Sequence, residues 1–130
     1  MKLILDTHIW VRWLSADQPL DGHILEAIAG ADVVAVSPVS CWEVAYLVKR
    51  NRLVLPMSLQ DWMRAALDGS RVEVLDLTFR IAMLAAELPD IHRDPADRFI
   101  IATALATGCK IISLDERFRS YDALQGLLIY

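Results

Sequence analysis

Cysteine is scarce, and the two present, Cys41 and Cys109, lie far apart with no C-x-x-C and no histidine at zinc spacing. That excludes a disulfide framework and a structural zinc site, and it fits two buried thiols in a reducing compartment. Apolar runs are short. The longest candidate, Phe99–Thr107, falls well below the roughly 18 residues of a membrane span. Asp6 closes the opening run Met1–Leu5 too early for the core of a signal peptide, so a cytoplasmic location is expected. Positive charge is also in deficit. Lys plus Arg number 13 against 17 Asp plus Glu, a net charge of −4, so bulk electrostatics offers no reason to expect a nucleic-acid partner. Glycine-rich phosphate loops, a nucleophile elbow, an EF-hand and H-E-x-x-H are all missing, which removes nucleotide-cofactor, hydrolase-triad and zincin readings.

What is present is apolar surface. The chain is 55% hydrophobic with mean hydropathy +0.37, which excludes a disordered chain and calls for extensive burial, in a core or against a partner. Its 130 residues suit one domain spanning 1–130. Periodicity predicts a strand at Leu3–Leu5, then a helix carrying Ile9, Trp10, Trp13 and Leu14, a helix over Asp21–Ala31 and a buried strand at Val33–Val36. Ser37-Pro38 reads as an N-cap with proline at the first helical position, opening a helix to about Arg52 that Asn51 and Pro56 end. Further helices are expected over Ser58–Leu67, Thr78–Leu88 and Asp94–Thr107, the last opened by Asp94-Pro95 and ended by Gly108. Strands are expected at Val72–Leu75, Lys110–Leu114 and Leu127–Ile129. Such alternation implies an α/β fold with a mainly parallel sheet, whose ligands sit at the carboxyl ends of strands.

The acids just after strands are therefore the first to weigh. Asp6 and Asp115 each follow a strand, and each could instead be a plain helix cap. Asp94 is fully explained as the cap of its helix. Asp97, at the third helical position, suits the helix dipole and could also project toward the sheet edge. Glu43 matches a capping box with Ser40, yet Pro38 puts the cap at Ser37 and leaves Glu43 inside the helix between Trp42 and Val44, where a carboxylate needs a partner or a metal. His8 neighbours a candidate acid and suits a supporting or RNA contact, whereas His92 reads as a polar loop residue. The tryptophans Trp10, Trp13, Trp42 and Trp62 are expected in the core or along an apolar groove. Lys49-Arg50-Asn51-Arg52 reads as a solvated helix end, with phosphate binding as the second choice.

Taken in order, Leu3-Ile-Leu-Asp6-Thr-His8, Ser40-Cys-Trp-Glu43-Val, His92-Arg-Asp-Pro-Ala-Asp97-Arg-Phe-Ile-Ile-Ala-Thr-Ala104 and Ser113-Leu-Asp115-Glu-Arg-Phe118 resemble the PIN-domain family, most nearly its VapC-type ribonuclease toxins of toxin–antitoxin pairs. The resemblance implies a three-layer α/β/α sandwich and an acidic quartet, Asp6, Glu43, Asp97 and Asp115, that binds Mg²⁺ or Mn²⁺ and carries catalysis. Asp94 is then an accessory acid, with Thr7 and Ser113 as hydroxyls beside the site. Ser113 stands where the family more often has Thr, and Cys41 replaces a commoner small or aliphatic residue. The quartet's charge equals the chain's whole net charge of −4, leaving the remainder neutral.

Oxygen-only ligands favour Mg²⁺ or Mn²⁺ over zinc, and such ions suit in-line attack on phosphorus by an activated water, while the resemblance implies structured RNA, such as transfer RNA, as the substrate. Attack by the 2′-hydroxyl would need two well-placed acid–base groups, and no second histidine is expected in position. Arg98, Arg117 and Arg119 are the RNA-contact candidates by sequence proximity. The resemblance also implies a homodimer and a VapB-like antitoxin in higher hetero-oligomers, with Trp10, Trp13, Trp42, Tyr46 and Leu47 lining the antitoxin groove. The alternatives are a non-catalytic metal- or RNA-binding scaffold and an aspartate-based phosphoryl-transfer or signalling domain. Against the last, position 8 is His where D-x-D would be needed.

Overall fold

The computed structural model describes residues 1–130. In chain order the elements are β1 (Lys2–Leu5), α1 (Thr7–Trp13), α2 (Gly22–Gly30), β2 (Val33–Val36), α3 (Pro38–Lys49), α4 (Leu59–Leu67), β3 (Val72–Val74), α5 (Phe79–Glu87), α6 (Pro95–Thr107), β4 (Lys110–Ile112) and β5 (Leu128–Ile129), with 3-10 turns at Glu116–Ser120 and Asp122–Leu124. The five strands form one parallel sheet in the order β3-β2-β1-β4-β5.

Alternation along the strands divides the apolar residues between two layers. Leu3 and Leu5 of β1 join Val34, Val36 and Ile112 in a cluster completed by Ile9 and Trp10 of α1, Ile24 and Ile28 of α2, and Trp62 of α4. Ile4 and Ile111 face the opposite way, into Ile81, Ala85, Ile100, Ile101, Phe118 and Tyr121. Each fully buried aliphatic chain contributes about 1.5–3 kcal/mol, so the two faces fix the register, because a one-residue slip would exchange them. This is the expected α/β sandwich of the PIN type.

Helix boundaries follow local chemistry. Ser37, Ser58, Thr78 and Asp94 each cap a helix through the side-chain oxygen, and Pro38 and Pro95 occupy the first helical position. Gly108 ends α6 at φ 70°, a left-handed conformation that costs glycine little. The helix expected to reach Arg52 stops at Lys49. Asn51 adopts φ 57°, with Asn51 N–H bonded to Val48 O at 3.1 Å and Arg52 N–H to Leu47 O at 2.9 Å, a Schellman closure that reverses the chain. Two of the tryptophans named for the antitoxin groove take the core alternative instead. Trp10 is fully buried, edge-on to Trp62 at 5.0 Å, and belongs to the core, while Trp13 packs partly buried against the same cluster. Cys109 is buried, but Cys41 is only half-buried.

The chain lays down β1, β2 and β3 on one side, then returns to place β4 on the other side of β1. The crevice at the carboxyl ends of β1 and β4 is thus the topological switch point of the sheet.

Candidate active site

Asp6 leaves β1 at that crevice, its N–H still bonded to Ile112 O of β4 at 3.0 Å. Although it caps α1 through the Thr7 N–H at 2.8 Å, the cap occupies one oxygen only. Oδ2 receives the Ser113 hydroxyl at 2.7 Å and lies 3.1 Å from His8 Nδ1. Leu114 N–H donates to His8 Nε2 at 3.2 Å, which puts the neutral ring's proton on Nδ1, facing Asp6. Burial acts against a charged His8, the Asp6 and Asp97 carboxylates outweigh it and raise its pKa, and the Leu114 N–H opposes the protonation they favour.

Glu43 reaches the crevice from the second turn of α3. The Thr7 hydroxyl stands 2.8 Å from Ser40 Oγ and donates to Glu43 Oε1 at 2.6 Å. Burial raises the Glu43 pKa, which the Thr7 hydrogen bond partly offsets. Asp97 projects from the first turn of α6. Its burial, together with the charges of Asp6, Glu43, Asp94 and Asp115, pushes its pKa up to about 7. Asp115 behaves oppositely. Arg117 grips it in a fork, Nε to Oδ1 at 3.1 Å and Nη2 to Oδ2 at 2.8 Å, and with His92 Nε2 at 3.1 Å holds the carboxyl well below the usual range.

All four carboxylates line one cleft of about 360 Å³. Asp94 caps α6 through Ala96 N–H at 2.9 Å, is exposed, and adds charge to the cleft without lining it. The donor set fits a hard divalent cation, because mutually repelling carboxylates in a half-buried crevice lower their energy by sharing one. His92 Nε2 and single oxygens of Asp97 and Asp115 lie within 4.8 Å of one another, a second grouping able to touch an ion.

Several contacts differ from the sequence reading. His92 is not a polar loop residue. It is buried, stacked on Tyr121, with Nδ1 2.8 Å from the Tyr121 hydroxyl and its own N–H donated to that hydroxyl at 3.2 Å. Two histidines therefore do flank the acids, but each has both ring nitrogens engaged within the protein, so neither presents a free acid–base pair to a 2′-hydroxyl. Arg98 is not at the cleft either. Its guanidinium is bonded to the carbonyls of Ala85, Ala86, Leu88, Pro89 and His92. Arg119 stacks over the Tyr130 ring at 3.9 Å, in a separate hollow. Arg117 is held by Asp115. The cationic residues that line the carboxylate cleft are Arg12 and Arg52, with Gln18 beside them. Arg12 follows His8 by one helical turn, a spacing visible in the sequence, whereas the return of Arg52 depends on the turn at Asn51.

The chain belongs to the PIN-domain family, whose profile, described as PIN domain, matches residues 3–124. Within that family it is of the VapC type. It is 32% identical over 120 residues to Ribonuclease VapC22 of Mycobacterium tuberculosis, covering 92% of this chain and 91% of that protein. The fold resembles a chain of VapBC2 from Rickettsia felis bound to a promoter DNA fragment, with TM-score 0.72, 21% identity, and 99% and 98% of the two chains covered. A toxin-antitoxin complex from Klebsiella pneumoniae gives TM-score 0.69 at 17% identity over 99% and 97% of the chains. FitAcB from Neisseria gonorrhoeae gives 0.62 at 18% over 98% and 96%. No helix is long and apolar enough to cross a membrane.

Proposed function

We propose that the protein is a divalent-metal-dependent endoribonuclease toxin acting in the cytoplasm on structured RNA, transfer RNA among its substrates, and neutralised by a VapB-like antitoxin. The observation that carries this reading is the convergence of Asp6, Glu43, Asp97 and Asp115, from four separate segments, on one cleft at the sheet's switch point. The 32% identity to a ribonuclease over nearly the whole chain supports it.

Asp6, Glu43, Asp97 and Asp115 would hold the metal. One or two Mg²⁺ or Mn²⁺ ions bound there supply an activated water and charge neutralisation at phosphorus. The chain's own groups prepare the site. Ser113 and His8 fix the rotamer of Asp6, Thr7 orients Glu43, and His92 with Arg117 hold Asp115. Burial and the neighbouring carboxylates hold the proton on Asp97 more strongly than on an ordinary carboxyl, and a cation bound among these acids would favour its release. Hydrolysis by water leaves 5′-phosphate and 3′-hydroxyl ends.

For the antitoxin, the exposed stack of Trp42 on Tyr46 at 5.1 Å, with Leu47 of α3 turned into the cleft, supplies an apolar lip for a docked helix. A homodimer and a hetero-oligomer with the antitoxin complete the proposed assembly, consistent with the toxin–antitoxin complexes of similar fold.

The test incubates partner-free protein with total transfer RNA and Mg²⁺ or Mn²⁺, with EDTA and Asp97→Asn controls, and maps product ends. Metal-dependent 5′-phosphate ends that vanish in the variant are expected. Cleavage surviving both controls, or no cleavage despite divalent binding, would reject the proposal.

A further inference from the structure

The carboxylate cleft has a second pole. Along α1 its wall runs Asp6, Thr7, His8, Val11, Arg12, and along α3 and its reversal it runs Glu43, Leu47, Arg52, Leu53. The first wall runs from the acid Asp6 past Thr7, His8 and Val11 to the guanidinium of Arg12, and the second from the acid Glu43 past Leu47 to that of Arg52, with Leu53 beside it. Arg12 lies one turn, about 5.4 Å of rise, beyond His8, a displacement on the scale of one nucleotide step. It is close enough to that ring for its charge to be felt there.

The donors at this pole are largely unclaimed. Arg12 bonds Pro19 O through Nη2 at 2.9 Å, while its buried Nε has no partner. Arg52 is exposed and makes no side-chain hydrogen bond or ion pair within the protein. It reaches the cleft only because Asn51 takes φ 57° and turns the chain back, a conformation rarely adopted without glycine. This contrasts with Arg98 and Arg117, whose forks are satisfied internally.

We infer that Arg12 and Arg52 form an anion subsite that takes a phosphodiester of the RNA strand neighbouring the bond that is cut. The inference rests on the ribonuclease reading and goes further by naming what holds the substrate's flank. A strand whose scissile phosphate lies at the carboxylates carries its next phosphates with it along the trough. Those phosphates lie beyond the charge neutralisation at the acids, and a guanidinium fork offers them paired N–H donors. Val11, Leu47 and Leu53 give the intervening sugar and base an apolar wall. Contacts of this kind position the strand and do not read its sequence.

The experiment measures binding of labelled total transfer RNA to Asp97→Asn protein in Mg²⁺ across a salt series, with Arg52→Gln, Arg52→Glu and the pair Arg12→Gln with Arg52→Gln added. Mn²⁺ binding is measured calorimetrically without RNA on the same arginine variants with Asp97 retained. The pair should weaken RNA binding by about tenfold or more and reduce the log–log salt slope by about one per arginine, with Mn²⁺ affinity held within about twofold. Arg52→Glu should weaken RNA binding more than Arg52→Gln, and since Arg52 is exposed and unpaired this arm stands even if Arg12→Gln unfolds the protein. Unchanged RNA affinity and slope in the Arg52 variants and the pair would overturn the subsite, as would a parallel loss of Mn²⁺ binding. Wild-type protein that binds Mn²⁺ but neither binds nor cleaves RNA would instead overturn the ribonuclease reading itself.

Discussion

Asp97 and Asp115 are the same residue type in the same cleft, yet their surroundings drive their pKa values apart. Asp115 has a guanidinium fork and an imidazole on its oxygens, whereas Asp97 has burial and four other carboxylates. For Asp97 the folded pKa stands above the ordinary value, so the folded state binds the extra proton, and stability falls as pH rises from about 4 through 7, with the full penalty above 7. For Asp115 the sign is reversed, and its contribution is present above the ordinary carboxylate range and lost as acid protonates it. In EDTA, Asp97→Asn should therefore stabilise the fold at pH 8 by about 1–2 kcal/mol, solvent screening of the half-buried group included, and by almost nothing near pH 4. Denaturant melts at the two pH values measure this. A gap independent of pH would show that Asp97 carries no such repulsion. The residue scale is also where the sequence misled most. A histidine in His92-Arg-Asp-Pro gives no local sign that Tyr121, from a distant turn, will bury it against Asp115.

At the scale of elements, α6 does two jobs with neighbouring residues. Asp97 faces the cleft, and the next residue, Arg98, closes the C-terminal end of α5 through the carbonyls of Ala85, Ala86 and Leu88 and ties down the following loop through those of Pro89 and His92. Terminal carbonyls have no intrahelical donor and carry partial negative charge, so a guanidinium there satisfies both needs. Arg98→Ala should cost about 2–4 kcal/mol in urea unfolding, with little recovery in Arg98→Lys, because an ammonium cannot span the carbonyls. The salt slope of RNA binding should not change, and a slope lowered by one would return Arg98 to the substrate. Element boundaries were legible because they are local: Ser37-Pro38, Asp94-Pro95 and Gly108 signal caps by chemistry that neighbouring residues supply. Asp6, Asp97 and Asp115 were legible for the same reason, each standing just after a strand or at a helix start, whereas Glu43 stood out only as a carboxylate inside a helix between Trp42 and Val44. The arginines were not. Arg98, Arg117 and Arg119 are near the acids in sequence, but a long side chain goes where unsatisfied acceptors lie, and those acceptors come from α5, from Asp115 and from the Tyr130 ring.

Across the whole molecule, five parallel strands and two apolar layers converge on a crevice into which the fold places four carboxylates, a number equal to the protein's net charge of −4. Such a site works against folding. The two layers hold it together, and the repulsion is confined to the edge of β1 and β4, the second turn of α3 and the first turn of α6. A ligand that binds only the folded arrangement is then linked to stability across the entire sheet, because Asp6 directly follows β1, the central strand, and Asp115 stands three residues beyond the end of β4. Mn²⁺ at about one hundred times its dissociation constant should stabilise the fold by about 2.7 kcal/mol, which for a domain of this size raises Tm by roughly 10 °C. Asp6→Asn and Asp97→Asn should each remove most of that rise, whereas Arg52→Gln should keep it. Thermal melts with Mn²⁺, and with a monovalent salt at matched ionic strength, separate site binding from general screening. An equal rise in the wild type and both acid variants, or in the monovalent control, would mean that the crevice does not hold the ion and that the carboxylates meet for another reason.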